Sequence, residues 1–411
     1  MTLDPQTLRK DFPTLQRDVR GKRLVFLDSA ASSQTPRSVI DAMDRFYERS
    51  RSNVHRGVYL LAEEATDLYE SGRTAVARFT NTPTEGVVFT KNATEAINLV
   101  AYSWVRERLG PGDTLLTTQM EHHANLVPWL TASHARGFEV RTIPLTGDGR
   151  LDVDAVEGLV ADGSVRFLAL TQASNVLGTI VDVNDVVARV RAASPDVVVL
   201  VDACQSVPHR PMDFAALDAD FAAFSGHKML GPTGIGVLLG RPERLDAMPP
   251  FLAGGEMIRE VTFEDATFND LPYKFEAGTP MIAEAAGLAA AVEYLEGLGM
   301  DAVRAHEQEL TGHLIDALDA VDGVTILGPR DTALRGGAVS FTLDGVHPHD
   351  VGAMLDQHGV CVRVGHHCAK PLMKVLDVNA TVRASVYVYN DVDDLQPLVD
   401  GLEAAARFFA R

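Results

Sequence analysis

Short apolar runs alternate with amphipathic stretches along most of the chain. Seven runs, rich in β-branched residues and apolar on successive positions, are typical of strands buried on both faces. They lie at residues 85–90, 113–118, 138–144, 165–171, 197–202, 220–225 and 236–239. Helical patterns separate several of these runs, most clearly at residues 93–108. The order predicts an α/β fold with a mostly parallel seven-stranded sheet that is covered by helices on both sides.

A different order of elements follows a long helical pattern at residues 283–297. Beyond it, helices are predicted near residues 302–318, 348–358 and 394–409, and strands near residues 338–343, 360–364 and 381–387. Strands and helices mixed in this way predict a smaller α+β domain. We therefore expect a large domain of residues 24–290 and a small domain of residues 291–411, against which residues 1–23 dock.

The charge balance and the cysteine count narrow the class of partner and the compartment. The 411 residues carry a formal net charge of −19, so nucleic acid and anionic membranes are not expected as partners. Three cysteines are too few for a disulfide framework and predict a reduced, cytoplasmic protein, with Cys204 and Cys361 as small core residues. Residues 1–21 lack an apolar run, so we expect no signal peptide, and no stretch is long enough for a membrane span.

Charged and polar side chains stand at the ends of three predicted strands. Lys228 follows the sixth strand, Asp202 ends the fifth, and Asn175 comes after the fourth. The carboxyl ends of parallel strands are where α/β sheets bind ligands. A lysine and a carboxylate there can hold pyridoxal phosphate, the carboxylate pairing with the ring nitrogen, while Gln205 can bond the ring hydroxyl. Taken singly, Lys228 could instead be a surface lysine on a turn, and Asp202 could be a helix N-cap.

Two further segments after predicted strands could contact the same cofactor. Residues 92–95 open a helix, and its free N–H groups with the Thr94 hydroxyl can bind phosphate or merely cap the helix. His122 and His123 follow the second strand, and a histidine there could stack on a cofactor ring. The pair could also bind zinc with Glu121, although neighbouring residues on a regular element point apart.

The last segment of interest carries Cys368 within residues 363–369. A cysteine close to histidine and arginine can be held as a thiolate, which is the nucleophilic form. The alternatives are a passive loop thiol, or a metal ligand together with His366 and His367.

Nearly end to end, these segments resemble the SUF-type (group II) cysteine desulfurases, which are class V aminotransferases within the fold-type I pyridoxal-phosphate enzymes. The resemblance implies an aspartate aminotransferase-like fold. The matching stretches are residues 11–13 (DFP), 27–31 (LDSAA), 53–57 (NVHRG), 120–129 (MEHHANLVPW), 174–178 (SNVLG), 225–228 (SGHK), 231–236 (GPTGIG), 275–280 (FEAGTP), 363–369 (RVGHHCA) and 382–385 (VRAS). Each stretch is only moderately specific, but their joint order and spacing make a chance match implausible.

The resemblance also implies a role for each matching residue. It assigns catalysis to Lys228, which carries the cofactor as a Schiff base, to Cys368, which takes the sulfur, and to His122, which stacks on the ring. The implied cofactor contacts are Ala93, Thr94, His122, Asp202, Gln205, Ser225, His227, Lys228 and Thr279, the last donated across a homodimer interface. The implied substrate contacts are His55, Asn175, Arg363 and Arg383. No metal is implied.

The implied reaction converts L-cysteine to L-alanine and leaves a persulfide on Cys368. A SufE- or SufU-like acceptor protein would then take the sulfur for iron–sulfur cluster assembly. A selenocysteine lyase or a cysteine-sulfinate desulfinase would share nearly all of these residues and is the alternative on the same scaffold. Outside the enzymes, the alternatives are a non-catalytic sulfur-relay scaffold, or a zinc protein that uses His366, His367 and Cys368.

Overall fold

The seven predicted strands form one sheet in the computed structural model, which describes residues 3–409. In chain order the strands are β1 (Val87–Thr90), β2 (Thr114–Thr118), β3 (Glu139–Ile143), β4 (Val165–Thr171), β5 (Val198–Asp202), β6 (Phe221–Ser225) and β7 (Gly236–Gly240). The spatial order is β1-β7-β6-β5-β4-β2-β3, and β7 alone runs antiparallel to its neighbours. The predicted α/β fold is therefore confirmed.

Both faces of this sheet are buried, which explains why its strands are apolar at successive positions. Along β6, Phe221 and Ala223 pack on one side in a cluster with Trp104, whereas Ala222 and Phe224 pack on the other. The helices of eight or more residues are Arg37–Arg49, Leu60–Phe79, Ala93–Val100, Val127–Arg136, Val183–Ala193, Ile282–Leu298, Met300–Asp319, Pro348–Gln357 and Leu395–Phe409. Within residues 3–409, none of the helices has both the length and the apolar character that crossing a bilayer requires.

A second, antiparallel sheet lies in the C-terminal part of the chain. Its strands are β8 (Val324–Leu327), β9 (Ala338–Leu343), β10 (Arg363–Gly365) and β11 (Thr381–Ser385), in the order β8-β9-β11-β10. Strand β8 was not predicted, because it is a half-exposed edge strand of four residues that lacks a continuous apolar run. Helical residues such as Leu314 and Leu398 cover this sheet in a separate core cluster.

The sequence predicts one strand at residues 360–364, but the structure has two short strands there, and each pairs with a different part of the chain. Val360–Cys361 pairs in parallel with Val25–Phe26, whereas Arg363–Gly365 pairs antiparallel with β11. The change of partner turns the chain between the two short strands. It brings the segment after β10, which carries Cys368, to the carboxyl end of the large sheet.

The N-terminal segment contacts the C-terminal part of the chain, but its assignment to the small domain stays a prediction. The ring of Phe12 meets the edge of the Tyr389 ring with centroids 4.9 Å apart, and Val25–Phe26, just beyond the segment, pairs with Val360–Cys361. The domain boundary placed after residue 290 stays a prediction. The helix Ile282–Leu298 runs through that position without a break.

Candidate active site

A cavity of about 190 Å³ opens where the parallel strands end. Five strands (β1, β2, β4, β5 and β6) contribute residues to its wall at or just after their carboxyl ends. Twelve of the fourteen predicted site residues line it, namely Ala93, Thr94, His122, Asn175, Asp202, Gln205, Ser225, His227, Lys228, Arg363, Cys368 and Arg383. The structure therefore assembles in one place side chains that are far apart in the sequence.

Lys228 and Asp202 form the floor of the cavity. Strand β6 ends at Ser225, and a single 3₁₀ turn carries Lys228 into the cavity wall. Asp202 is only 4% exposed, and its Oδ1 accepts a hydrogen bond from the N–H of Cys204 at 3.0 Å. Turns rather than a regular helix follow Asp202. Asp202 is therefore not a helix N-cap, which was the alternative interpretation of this residue.

The start of the helix Ala93–Val100 lies against the same strand ends. Its first N–H donates to Ser225 Oγ at 2.9 Å, which ties the helix to the strand that precedes Lys228. Gly236 makes this close approach possible, because a Cβ there would lie 2.4 Å from Asn92 Cα. The helix terminus and Thr94 thus face the cavity in the arrangement that binds a phosphate group.

The ring of His122 is fixed in orientation and is uncharged at neutral pH. Its Nδ1 accepts a hydrogen bond from the N–H of Ala124 at 3.0 Å, which places the ring proton on Nε2. Burial, helped by the charge of Lys228, lowers its pKa to about 4. A flat, neutral imidazole at this point of the wall suits stacking on an aromatic ring.

The residues around the cavity fit pyridoxal phosphate. An amine for the covalent link, a buried carboxylate for the ring nitrogen, a flat imidazole for the ring face and a helix start for the phosphate match the parts of this cofactor. The donors of a zinc site are not brought together in the same way: across residues 3–409, no group of three or more His, Cys, Asp or Glu side chains is arranged to hold a metal. His367 instead places its Nε2 2.7 Å from Thr381 Oγ1.

The rim of the cavity is a loop with an unusual backbone. His367 and Cys368 have φ angles of +51° and +55°, a left-handed conformation that side chains other than glycine rarely adopt. Hydrogen bonds hold it: Asn175 Nδ2 donates to the His367 carbonyl at 2.7 Å, and the His123 N–H donates to the Cys368 carbonyl at 2.6 Å. Cys368 is exposed to solvent and also lines the cavity.

Two arginines share one carboxylate beside this loop. Arg383, 1% exposed, lies with Nη2 3.1 Å from Asp28 Oδ1, and Arg363 Nη1 lies 3.7 Å from Asp28 Oδ2. Burial lowers the pKa of Arg383, and its buried Nε has no hydrogen-bond partner among the described residues. The excess positive charge and the unpaired donor suit the carboxylate of an amino-acid substrate.

Glu121 has a place in the site that sequence reasoning missed, having considered it only as a possible zinc neighbour. Its carboxylate, 2% exposed, accepts hydrogen bonds from Thr118 Oγ1 at 2.6 Å, Asn125 Nδ2 at 2.6 Å and the Thr171 N–H at 2.9 Å. Burial raises its pKa to about 8, and the nearby charge of Asp202 acts in the same direction. Glu121 thereby joins the ends of β2 and β4 beneath the His122 turn. Its position just before the histidine pair was the available signal.

Thr279 and His55 do not reach this cavity within one chain. Thr279 is exposed, and its neighbours Gly278 and Pro280 line a separate cavity of about 280 Å³ together with His55. Their assigned roles stay predictions, and the role of Thr279 requires a second chain.

Cys204 differs from the core residue expected of it in one respect. It is only 9% exposed, as in a core residue, yet it lines the cavity beside Asp202. Burial raises the pKa of its thiol, so it stays protonated and is a poor nucleophile compared with a thiolate. Cys361 is partly buried, on the strand that pairs with Val25–Phe26.

A parallel α/β sheet with a lysine, a carboxylate and a phosphate-binding helix start at its strand ends defines a fold-type I pyridoxal-phosphate enzyme. Residues 25–398 match the family Aminotransferase class-V. The chain belongs to this family, and its cofactor is pyridoxal phosphate, as predicted.

Similar proteins agree with the predicted activity. A probable cysteine desulfurase from Streptomyces coelicolor is 48% identical over 99% of this chain and 98% of its own length. The crystal structure of the Escherichia coli cysteine desulfurase CsdA, in an S-sulfonic acid form, has a TM-score of 0.91 and 38% identity and covers 100% of both chains. The apo structure of a cysteine desulfurase from Thermococcus onnurineus NA1 has a TM-score of 0.93 and 38% identity and covers 99% of both. The predicted class V aminotransferase family, the fold and the cysteine desulfurase activity are confirmed, and the SUF-type subgroup stays a prediction.

Proposed function

We propose that this chain is a pyridoxal-phosphate-dependent cysteine desulfurase that moves the sulfur of L-cysteine onto Cys368 and releases L-alanine. The observation that carries the proposal is that Lys228, Asp202 and Cys368 line one cavity. An amine and a carboxylate are sufficient for transamination, which has no use for a thiol at the rim, whereas a reaction that removes sulfur needs one.

The floor of the cavity would hold the cofactor. Lys228 would bind it covalently, Asp202 would pair with its ring nitrogen, and His122 would pack on its ring. The remaining cofactor contacts are Ala93, Thr94, Gln205, Ser225 and His227. When bound, pyridoxal phosphate supplies a conjugated ring that takes up electrons released at the substrate Cα.

Lys228 and the arginine pair prepare the substrate. Arg383, with Arg363 and Asn175, binds the substrate carboxylate and thereby orients the Cα–H bond. Lys228 would hold the cofactor in the absence of substrate, and its side-chain amine is the base that would take the proton from the substrate Cα. His122 is uncharged beside the cofactor site, because burial and then the charge of Lys228 lower its pKa to about 4.

Cys368 completes the reaction as a thiolate. Its sulfur attacks the substrate sulfur, so that an S–S bond forms while the Cβ–S bond breaks. The electron pair of the broken bond stays with Cβ, which gains a proton and becomes the methyl group of alanine. The substrate sulfur is oxidised to a persulfide as the carbon is reduced, so no further oxidant is needed.

Mass spectrometry after incubation with L-cysteine tests this proposal. We expect the peptide that contains Cys368 to gain the mass of one sulfur atom, and L-alanine to form in step. Cys361→Ser is the matched control and should leave the gain unchanged, whereas Cys368→Ser should abolish it. Alanine formation with sulfur on Cys204 or Cys361 instead, or on no cysteine at all, would overturn the assignment.

We also propose that the persulfide passes to a SufE- or SufU-like acceptor in the cytoplasm, for iron–sulfur cluster assembly. The exposure of Cys368 supports a protein acceptor, because a thiol at the rim can be reached from outside the cavity. All three cysteines are free, which agrees with a reducing compartment.

A homodimer is the remaining part of the proposal, with Thr279 of each chain completing the phosphate site of the other. Thr279 lies on an exposed loop, and the four successive residues 58–61 form an apolar stretch that is 43–98% exposed. Such a stretch is typical of an interface.

Mixing two inactive variants tests the dimer. A chain with Lys228→Ala and a chain with Thr279→Ala form heterodimers in which one site combines the intact Lys228 and the intact Thr279. We expect activity to return on mixing after partial denaturation and refolding. Mixed chains that stay inactive although light scattering shows heterodimers would exclude donation of Thr279 across the interface.

A further inference from the structure

The segment around Cys368 has the opposite charge to the rest of the chain. The chain contains 56 Asp and Glu residues among 411, yet none occurs between Asp356 and Asp377. Two of the seven lysines of the whole sequence, Lys370 and Lys374, lie in this interval, within six residues of Cys368. An acidic protein thus carries a local positive surface beside its reactive thiol.

The structure exposes these lysines and fixes the element that carries them. Both lie on the short helix Lys370–Val375, and both are exposed. The N–H of Lys370 donates to His123 Nε2 at 3.0 Å, which anchors the helix to the turn after β2. Neither lysine lines the cavity, and within residues 3–409 neither forms an ion pair.

We call Arg363, His366, Lys370 and Lys374 the basic rim. The charge of Lys370 reaches the turn after β2, since burial, then the neighbouring His366, then Lys370 lower the pKa of His123. Inside the cavity, Asp28 offsets one of the two charges on Arg363 and Arg383, and the substrate carboxylate would offset the other. The charges of Lys370 and Lys374 are not offset in this way, and neither lysine has an assigned role in the reaction.

We propose that the basic rim is the docking surface for an acidic sulfur acceptor, one whose receiving thiol is flanked by Asp and Glu side chains. This inference rests on the proposed function, because it assumes that a persulfide leaves from Cys368. It adds the chemistry of the partner, which the desulfurase reaction itself does not define.

Electrostatics gives such a surface a directing role. A net charge of −19 repels an acidic protein from the chain as a whole, and the basic rim is a place beside Cys368 where this repulsion is locally reversed. The acceptor is therefore steered to the face where Cys368 is exposed. A basic partner would instead be attracted to the acidic surface elsewhere and would not be directed to the thiol.

Alkylation of Cys368 measures the local field without any turnover. Iodoacetate is an anion and iodoacetamide is neutral, so the ratio of their rates at Cys368 reports the potential there. We expect the double variant Lys370→Glu/Lys374→Glu to lower this ratio about two- to fourfold relative to the parent holoenzyme. Added salt should lower the ratio in the parent as well.

The matched control is Lys10→Glu/Lys22→Glu, which makes the same change in net charge at two exposed lysines on the N-terminal segment. Its ratio should stay at the parent value. An equal fall in both double variants, or no fall in either, would overturn the proposal, because the rim would then have no field of its own.

Sulfur transfer to model peptides tests the partner. With the Cys368 persulfide formed from L-cysteine, a cysteine peptide flanked by aspartates should accept sulfur faster than one flanked by lysines. The rim variant should lose or reverse this preference, and the control variant should keep it. A parent enzyme that prefers the lysine peptide would contradict the proposal.

The two proposals fail in different ways. If no chain gains sulfur on Cys368 but the alkylation ratio responds to the rim variant, the basic rim stands and the desulfurase mechanism falls. If the persulfide forms normally while neither the alkylation ratio nor the peptide preference changes, the docking surface falls and the mechanism stands.

Discussion

The floor and the rim of the cavity are built from different kinds of structure. The floor carries Lys228 and the nearly inaccessible Asp202 at the ends of parallel strands, whereas the rim carries the exposed Cys368 on a loop with two left-handed residues. Holding a cofactor requires groups whose positions are fixed by packing, and strand ends provide them. Delivering sulfur requires a thiol that both a substrate and an acceptor can reach, and a loop provides that.

Replacement of Lys228 should have the largest effect, because it removes the floor's covalent link. In Lys228→Ala we expect loss of the visible absorption band of the lysine-bound cofactor and a fall in turnover of about 10⁴-fold. Absorption spectroscopy and alanine formation measure the two effects. Lys10→Ala is the control and should change neither. A variant that keeps the band would show that another lysine binds the cofactor.

Replacement of Cys368 should separate the rim from the floor. Cys368→Ala removes the nucleophile but touches nothing that binds the cofactor, so the absorption band should stay at full height. Sulfur release from L-cysteine should fall by about 10²-fold or more. Cys361→Ala should keep both the band and the activity. If the Cys368 variant lost its cofactor as well, the division between floor and rim would be wrong.

Asn175 connects the two regions, and its replacement should have an intermediate effect. Its backbone carbonyl accepts a hydrogen bond from Arg383 Nη1 at 2.8 Å, while its side chain holds the His367 carbonyl. Asn175→Ala keeps the first bond and removes the second. The side chain holds the loop and is also proposed to bind the substrate carboxylate, so we expect kcat/KM for L-cysteine to fall about tenfold or more, with an unchanged absorption band. An unchanged kcat/KM would show that neither the loop nor the substrate needs this side chain.

The floor was largely predictable from the sequence, and the reason is geometric. A buried parallel strand is recognisable as an apolar run, and the carboxyl ends of such strands meet at one edge of the sheet. Polar residues directly after the runs, such as Lys228, Asp202 and His122, therefore had to come together. Thr94, at the start of a predicted helix, was likewise recognisable as a candidate phosphate ligand. Gly236, in a glycine-rich stretch, allows the close approach of the chain at Asn92.

The rim was less predictable, because its geometry depends on long-range pairing and on backbone conformation. Arg383 meets Asp28 across 355 residues of sequence, and no local pattern indicates such a contact. The left-handed conformation of His367 and Cys368 cannot be expected from residue types that rarely adopt it. The change of strand partner after Cys361 depends on Val25–Phe26, a two-residue strand too short to recognise.

The smallest effect should come from Glu121, whose contribution is to stability rather than to chemistry. Trp129 Nε1 donates to Asn125 Oδ1 at 3.2 Å, so the Asn125 amide must donate to Glu121. The protonated acid can turn its single O–H toward the Thr118 hydroxyl and still accept from the other two donors, whereas a glutamine at position 121 would place an N–H group without an acceptor lone pair against one of these donors. We expect Glu121→Gln to lower the free energy of unfolding of the holoenzyme by about 1–3 kcal/mol at pH 5, measured by denaturant titration.

The pH dependence of this loss follows from the raised pKa of Glu121, about 8 in the folded chain against 4.5 ordinarily. Below pH 4.5 both states are protonated; between pH 4.5 and 8 only the unfolded state loses the proton, so the parent's stability declines as pH rises. The variant does not titrate there, and the histidines that do are common to both chains. The parent's advantage should therefore shrink from pH 5 to pH 8. Glu157→Gln, at an exposed glutamate, should show no such trend. An advantage that grows with pH would mean that the three donors hold Glu121 ionised despite its burial.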